Sequence, residues 1–589
     1  MLQKLKHSGT FPHMKKYYSI AFKFSILLSL SPVSQAAELV DAESVRLARA
    51  GSKGMIVADD AQAAEWGVDI LRRGGNAIDA AVATAFGMAV TRPHFASLGG
   101  GGFLIFCPAP RAGKPSDCGV IDFREKAPSA AQKDMYLRNG KALSKLSQNG
   151  ALASGVPGVT AGLLMALEKY GTMKRQELLS APISWAQKGI RVSTNTEYAA
   201  KHRWNEMNAE ARRVFGCNQT ARPCRTGEKL VQPDLARVLK AISKAGAAGF
   251  YEGNVGRKIA SGIQAAGGII SKQDLSGYSP TVRTPVRGQF KGYEVVTMPP
   301  PSSGGTVLVQ LLGYFDRAEK AGLLSQGFGS ALSLHAQIHG MSLSFADRAE
   351  YMGDSDFHPV PLGRMLSENY LDERWKTFVP SRANFPDGPG VLLPEPQHTT
   401  HFSVIDSAGN AVAITETVND NFGSGFVPPG TGIVMNNEMD DFSLQPGVPN
   451  LFGLVGAEAN AIAPGKRPLS SMSPTIVRDS NGHARIVLGA AGGPRIITSV
   501  FQTLANRIQF GMSLVDSVAA ARVHHQWKPS HVRIERNTLS PETQEKLRLL
   551  GYSLEAGNGL AVVHALERFP DGRVVGAPDP RGEGAAIAE

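Results

Sequence analysis

The sequence predicts an α+β protein in which helices are layered over sheets. Three observations predict it. Helical and strand-like blocks alternate to the C-terminus, as where RIVLGAAG is followed by SVFQTLANRIQ. Residues 400–417 read as a β-hairpin. The 64 glycines are scattered through hydrophobic sequence without a G-X-Y period, which argues for tight turns and close backbone approaches. Strand order is not legible from such a pattern.

At 589 residues, 42% hydrophobic and 19% charged, the chain has the composition of an ordinary globular protein, large enough for several domains or one big layered one. It contains no internal repeat. The first 36 residues read as an export signal: Lys15 and Lys16, an apolar run around residues 24–30, then small residues through Ala36, with Met14 an alternative start. The apolar run is too short for a spanning helix, so cleavage near Ala36 and a periplasmic or secreted destination are expected, with an uncleaved tether the alternative. That segment carries five of the eleven net positive charges and no acid, which leaves the remainder at +6. No Lys/Arg cluster is interleaved with aromatics, so nucleic acid is not an expected partner. The four cysteines form two local couples, Cys107 with Cys118 and Cys217 with Cys224. Two short-loop disulfides or free buried thiols both fit.

Residues 59–92 predict a helix, a stop at Gly74-Gly75-Asn76, and a second, Ala-rich helix packed closely against the first. The glycines of LGGGGF (98–103) run into FLIF, a buried strand. A dinucleotide loop needs a strand before its glycines and a helix after them, so no phosphate-binding role is read here. PPPSSGG (299–305) leads into the apolar helical run TVLVQLLGYF and reads as a rigid turn ahead of a helix. His335 and His339 have the i, i+4 spacing of half a metal site, but no Glu completes H-E-x-x-H and no third ligand presents itself. Like His524-His525, they read as packed or solvated histidines. No metal and no cofactor are expected.

Prolines 380, 386, 389, 394 and 396, with Gly388 and Gly390, predict an exposed extended loop, the kind of segment where chains are cut. A strand at 400–406 follows, then Ser407-Ala408-Gly409 as a three-residue turn with glycine in the left-handed position, then a returning strand at 410–417. If Asp406 faces Asn410, paired residues sum to 816 and Thr399 lies across from Thr417. The hairpin therefore brings two hydroxyls together at one end of a strand pair, beside a cleavable segment. A threonine hydroxyl is a poor nucleophile that needs a base, and its own α-amino group can serve once freed. Such an amine titrates at roughly 7.7 to 8.0, so an appreciable fraction is neutral under physiological conditions. Cutting the 398–399 bond creates that base. The plain alternative is a β-branched edge strand.

Thr399-Thr-His-Phe-Ser-Val404, then Gly409-Asn-Ala-Val-Ala-Ile-Thr-Glu-Thr-Val-Asn419 and Phe422-Gly423, closely resemble the maturation-site signature of the γ-glutamyltransferases, N-terminal-nucleophile hydrolases. Further ordered matches are Gly54-Met-Ile-Val57 with GGNAIDAAVA, LGGGGF, Asp122-Phe-Arg-Glu125, PPPSSGG, FADRAEYMGD, Asn436-Asn-Glu-Met-Asp-Asp-Phe442, RPLSSMSPT, Gly492-Gly493 and PDPRGEGA. The resemblance covers the chain from about Gly54 onward. It implies a four-layer αββα sandwich and a precursor that cuts itself between His398 and Thr399, so that residues 37–398 form a large subunit and 399–589 a small catalytic subunit of one heterodimer.

The resemblance also implies roles. Thr399 is the nucleophile and Thr417 orients it. Gly492 and Gly493 supply the backbone N–H groups of an oxyanion hole. Arg124 clamps the substrate α-carboxylate with help from Ser470 and Ser471. Asn419, Glu438 and Asp441 hold the α-ammonium. The implied substrate is a γ-glutamyl amide such as glutathione, with water or an amino acid or dipeptide as acceptor. Phe452 stands where several relatives carry a tyrosine that closes the site through its hydroxyl, a bond phenylalanine cannot make. Pro494 after the glycines and His398 before the cut bear on rates rather than on reaction class. Two rivals have distinct signatures: a glutaryl acylase has no use for Asp441, and a binding protein that has lost catalysis would stay uncut.

Overall fold

The computed structural model describes residues 48–51, 53–111, 116–217, 222–385, 399–536 and 538–589. The expected export signal, most of the proline-rich segment and His398 lie outside the described residues.

Two seven-stranded sheets make the centre. Strand order in the first is Ala585–Ala588, Met55–Ala58, Thr400–Ile405, Ala411–Thr417, Gly101–Cys107, Gly119–Asp122 and Thr281–Arg283. In the second it is Arg49–Gly51, Val574–Pro578, Val562–Arg568, Ala484–Ala491, Thr475–Arg478, Tyr293–Thr297 and Val286–Phe290. All neighbours in both sheets are antiparallel.

The hairpin has the register the turn chemistry predicts. Thr400 pairs with Glu416 and Ile405 with Ala411. The Asp406 amide donates to the Asn410 carbonyl at 3.1 Å, and Gly409 has φ +88°, the left-handed conformation the turn needs. Because successive side chains alternate, this register sorts each strand between two cores. Phe402, Val404, Val412 and Ile414 pack toward one layer of helices, and Ile405, Ala411 and Ala413 face the second sheet. Thr399 and Thr417, both odd-numbered, fall on the inter-sheet side.

The helix layer on the first sheet includes Ala61–Arg72 and Ala77–Thr91. Asp60 caps the first by accepting from the Ala63 amide at 2.8 Å. The chain then stops at the expected Gly74-Gly75, and Asn76 with Asp79 forms a capping box for the second helix, which is buried along its whole length. The opposite layer, Gly304–Lys320, Ala331–Tyr351 and Arg495–Leu504, packs on the second sheet. The order helix, sheet, sheet, helix is the four-layer αββα sandwich that the resemblance implies.

Both cysteine couples are disulfides, Cys107–Cys118 and Cys217–Cys224. His335 is spoken for by the Tyr552 hydroxyl at 2.5 Å and the Val379 carbonyl at 2.9 Å, and His339 by the Thr377 hydroxyl at 3.2 Å, so this pair is packed rather than ligating. Among the described residues no helix is long and apolar enough to cross a membrane.

Candidate active site

The site lies at one end of the inter-sheet layer, where strand termini deliver side chains and the connections close over them. Thr399 precedes the strand Thr400–Ile405, and Thr417 ends its partner strand Ala411–Thr417. Their hydroxyl oxygens are 3.4 Å apart, and both residues are buried. Asn419 adopts φ +74°, which turns its amide back to donate to Thr417 Oγ1 at 2.8 Å. The tripeptide 417–419 thus fixes the oxygen that faces Thr399.

Arg124 leaves the strand Gly119–Asp122 and is almost wholly buried. Its backbone is pinned at both ends: the amide donates to Asp122 Oδ1 at 2.9 Å, and the carbonyl accepts from the Tyr278 hydroxyl at 2.9 Å. Its guanidinium reaches more than three hundred residues along the chain, to Glu438 Oε1 and, at 2.5 Å, to Asp441 Oδ2. Glu125 stands 3.7 Å from Nη1, the nitrogen that also meets Glu438. A local Arg124–Glu125 pair is therefore not the main contact. Burial alone would lower the Arg124 pKa, but the facing Glu438, Asp441 and Glu125 more than restore it.

The acids respond in the opposite sense. Burial lifts Glu438 well above the usual carboxylate range against the pull of Arg124, and lifts Glu125 to about 7. Burial also raises Asp441, with Arg124 and Arg348 drawing it back. Three carboxyls around one guanidinium carry an excess of negative charge once ionised, and protons or a ligand cation must meet it. A substrate ammonium is suited to that task. The neighbouring Asp440 is buried as well. It accepts from Ser147 Oγ at 2.6 Å and from the Leu451 amide at 2.7 Å, and burial raises it to about 7.

Ser470 and Ser471 come from the segment entering the strand Thr475–Arg478. The PPPSSGG turn grips that segment from behind. Ser470 N–H donates to the Pro301 carbonyl at 2.8 Å, and Ser302 Oγ donates to the Met472 carbonyl at 2.6 Å. Gly492 and Gly493 join the strand Ala484–Ala491 to the helix Arg495–Leu504. Both have positive φ, +142° and +57°, and a Cβ on Gly493 would meet the Phe452 ring at 2.7 Å. Only glycine allows that approach. Phe452 is buried, so its ring covers the site by packing. The loop that carries it is held by the Asn450 side chain, which accepts from the Phe452 amide at 3.0 Å, and by Gln526, which donates to the Phe452 carbonyl at 3.1 Å.

Thr399, Thr417, Arg124, Asn419, Glu438, Asp441, Phe452, Ser470, Ser471 and Gly493 line one cavity of about 20 Å³. Gly492 lies one residue from the lining. Leu454, Met472 and Ile496 line it too and carry no sequence signal beyond being apolar. Space of that size holds a water molecule, not an amino acid. The guanidinium of Arg124 and the acids Glu438 and Asp441 are in direct contact across it. Arg348 and Ser303 stand behind the two serines and contact them. Both sit inside motifs that stand out in the sequence, FADRAEYMGD and PPPSSGG, but nothing local shows which hydroxyl or carbonyl they meet.

The chemistry follows from this arrangement. A hydroxyl poised beside a second hydroxyl can attack a carbonyl. Next to it, a buried cation and several buried acids offer opposite charges to the two ends of an amino-acid group.

The family model described as Gamma-glutamyltranspeptidase matches residues 63–589. The chain is 41% identical over 539 residues to the glutathione hydrolase proenzyme of Escherichia coli (strain K12), covering 90% of each chain. It is also 41% identical over 543 residues to that of Pseudomonas sp. (strain A14), covering 90% of this chain and 92% of the other. Among solved structures, the cephalosporin acylase from Bacillus halodurans superposes with a TM-score of 0.77 at 25% identity, over 92% of this chain and 97% of that one.

Proposed function

The chain belongs to the gamma-glutamyltranspeptidase family, and we propose that it is made as a proenzyme, cuts itself before Thr399, and then uses Thr399 to move γ-glutamyl groups from glutathione-type amides to water or to an amino-acid or dipeptide acceptor. Its activity is that of a γ-glutamyltransferase and glutathione hydrolase.

In maturation, Thr399 Oγ attacks the preceding carbonyl, the acyl group moves from nitrogen to oxygen and so frees the α-amine, and water then hydrolyses the ester to release the Thr399 hydroxyl and a new C-terminal carboxylate. In turnover, that amine takes the hydroxyl proton as Oγ attacks the γ-carbonyl, then gives it to the departing amine. A γ-glutamyl ester remains on Thr399. The amine next deprotonates water or an acceptor amine, which attacks the ester and restores the threonine. Thr417 orients Oγ throughout, and the amides of Gly492 and Gly493 receive the oxyanion in both halves of the cycle. Arg124 with Ser470 and Ser471 takes the α-carboxylate, while Asp441, Glu438 and Asn419 take the ammonium. Each charge of the substrate's amino-acid end thereby meets its opposite.

One observation carries this reading: the 3.4 Å approach of the Thr399 and Thr417 hydroxyls opens into the same cavity as Arg124 and Asp441. A glutaryl acylase is the alternative that the acylase-like fold raises, but a glutaryl group has no ammonium for the acid cluster. Rates on γ-glutamyl and glutaryl anilides, each with and without a dipeptide acceptor, test the proposal. Clear preference for the γ-glutamyl substrate is expected, and preference for the glutaryl one would overturn the assignment. The same reading makes residues 37–398 and 399–589 the two subunits of one exported heterodimer, periplasmic or secreted.

A further inference from the structure

A hydroxyl can present its hydrogen to a ligand when its oxygen already accepts from a group that donates only. Both serines beside Arg124 are in that state. Ser470 Oγ accepts from the Met472 amide at 3.1 Å. Ser471 Oγ accepts from Arg348 Nη2 at 3.4 Å, a long contact for this pair of atoms. A guanidinium has no acceptor, so the hydrogen of Ser471 points elsewhere, and the cavity is what its side chain lines.

The same guanidinium also holds a third serine, Ser303. Arg348 Nε donates to Ser303 Oγ at 2.9 Å. Ser303 passes the constraint on: its amide at 2.8 Å and its hydroxyl at 2.7 Å both donate to the Ser470 carbonyl. One buried side chain on the helix Ala331–Tyr351 therefore reaches the 470–471 turn twice, directly at Ser471 and through Ser303 at the Ser470 carbonyl. Arg348 and Asp441 also line a small adjoining cavity that shares Asp441 and Leu454 with the first.

We propose that Arg348 is a positioning residue for the substrate α-carboxylate, acting through the Ser470–Ser471 turn. The inference rests on the γ-glutamyl reading above. Burial pulls the Arg348 guanidinium down to about 10, with Asp441 pulling it up and Arg124 pushing it down, which leaves it charged at neutral pH. Asp441 in turn is drawn down by Arg348. Arg124 meets the carboxylate directly, and Arg348 makes the second and third donors available.

The test compares two anilides on the matured enzyme: γ-glutamyl, and 4-aminobutyryl, which keeps the amine and lacks the α-carboxylate. For Arg348→Met, KM on the γ-glutamyl anilide should rise on the order of tenfold to a hundredfold, the worth of a hydrogen bond to a charged group. KM on the aminobutyryl anilide should rise much less, because that substrate has no α-carboxylate for the turn to meet. In a Ser471→Ala background the Arg348→Met penalty should shrink, since the two act in series. If the methionine variant does not accumulate as two chains, Arg348→Lys replaces it: one ammonium cannot bridge both hydroxyls, so an intermediate, equally selective rise is expected. Equal loss on both anilides, or full additivity with Ser471→Ala, would overturn the inference. A wild-type enzyme that handles the two anilides alike would instead overturn the γ-glutamyl reading beneath it.

Discussion

Thr399 and Thr417 face each other across the open end of one hairpin, their hydroxyl oxygens 3.4 Å apart, with the Asn419 amide holding Thr417 from behind. Orientation is what Thr417 contributes, so Thr417→Ala should lower kcat by roughly tenfold to a hundredfold while KM changes little. Thr417→Ser should keep most of the rate. Steady-state kinetics on a γ-glutamyl anilide check both. A change confined to KM would place Thr417 in substrate binding instead.

Asp441 accepts from Arg124 Nη2 at 2.5 Å and, in the proposed function, meets the substrate ammonium. Asp441→Ala should cost on the order of a hundredfold in kcat/KM for a γ-glutamyl anilide, the scale of a lost charged hydrogen bond. It should leave slow glutaryl turnover unchanged or improved. The ratio of the two substrates is the readout, since it cancels any loss of folded protein.

Gly493 touches the Phe452 ring where a side chain would begin. Gly493→Ala places a methyl 2.7 Å from that ring at φ +57°. A fall in turnover is expected, and Phe452→Ala in the same chain should restore part of it by removing the clash while the backbone strain stays. Full rescue would make the contact alone responsible, and no rescue would make it irrelevant.

Glu416, next to Thr417, points to the opposite face of its sheet. Neither of its carboxylate oxygens has a hydrogen-bond partner, and burial raises it from 4.5 to about 8. The folded state therefore binds a proton that the unfolded state releases between those values. The stability this contributes is full below 4.5 and is lost as pH climbs through about 8. Melting temperature should accordingly fall across that range, and Glu416→Gln should flatten the decline and melt higher on the alkaline side. Parallel curves for the two proteins would contradict the assignment.

The hairpin was legible because local chemistry overdetermines it: a three-residue turn with Gly409 fixes the register, and a fixed register places Thr399 opposite Thr417. The helices at Ala61–Arg72 and Ala77–Thr91 were legible for the same reason, since Gly74-Gly75-Asn76 both ends one and caps the next. The site beyond the hairpin was not. Arg124 and Asp441 are 317 positions apart, and neither periodicity nor spacing could join them. Only the ordered motifs of a family resemblance did so. Sheet order was equally closed to local reading: Met55–Ala58 lies beside Thr400–Ile405, with three hundred residues between them. Arg348 shows the limit of motif matching. It stands in a long matching run, yet its part depends on two hydroxyls supplied by two distant loops.

The most direct test is the N-terminal sequence and mass of the smaller chain from freshly purified protein, alongside Thr399→Ala. A chain running from Thr399 to Glu589 with threonine at its first cycle is predicted for the wild type, and an uncut, inactive polypeptide for the alanine variant. An intact wild-type chain at full activity, or an alanine variant that is still cut and still turns over, would contradict the account.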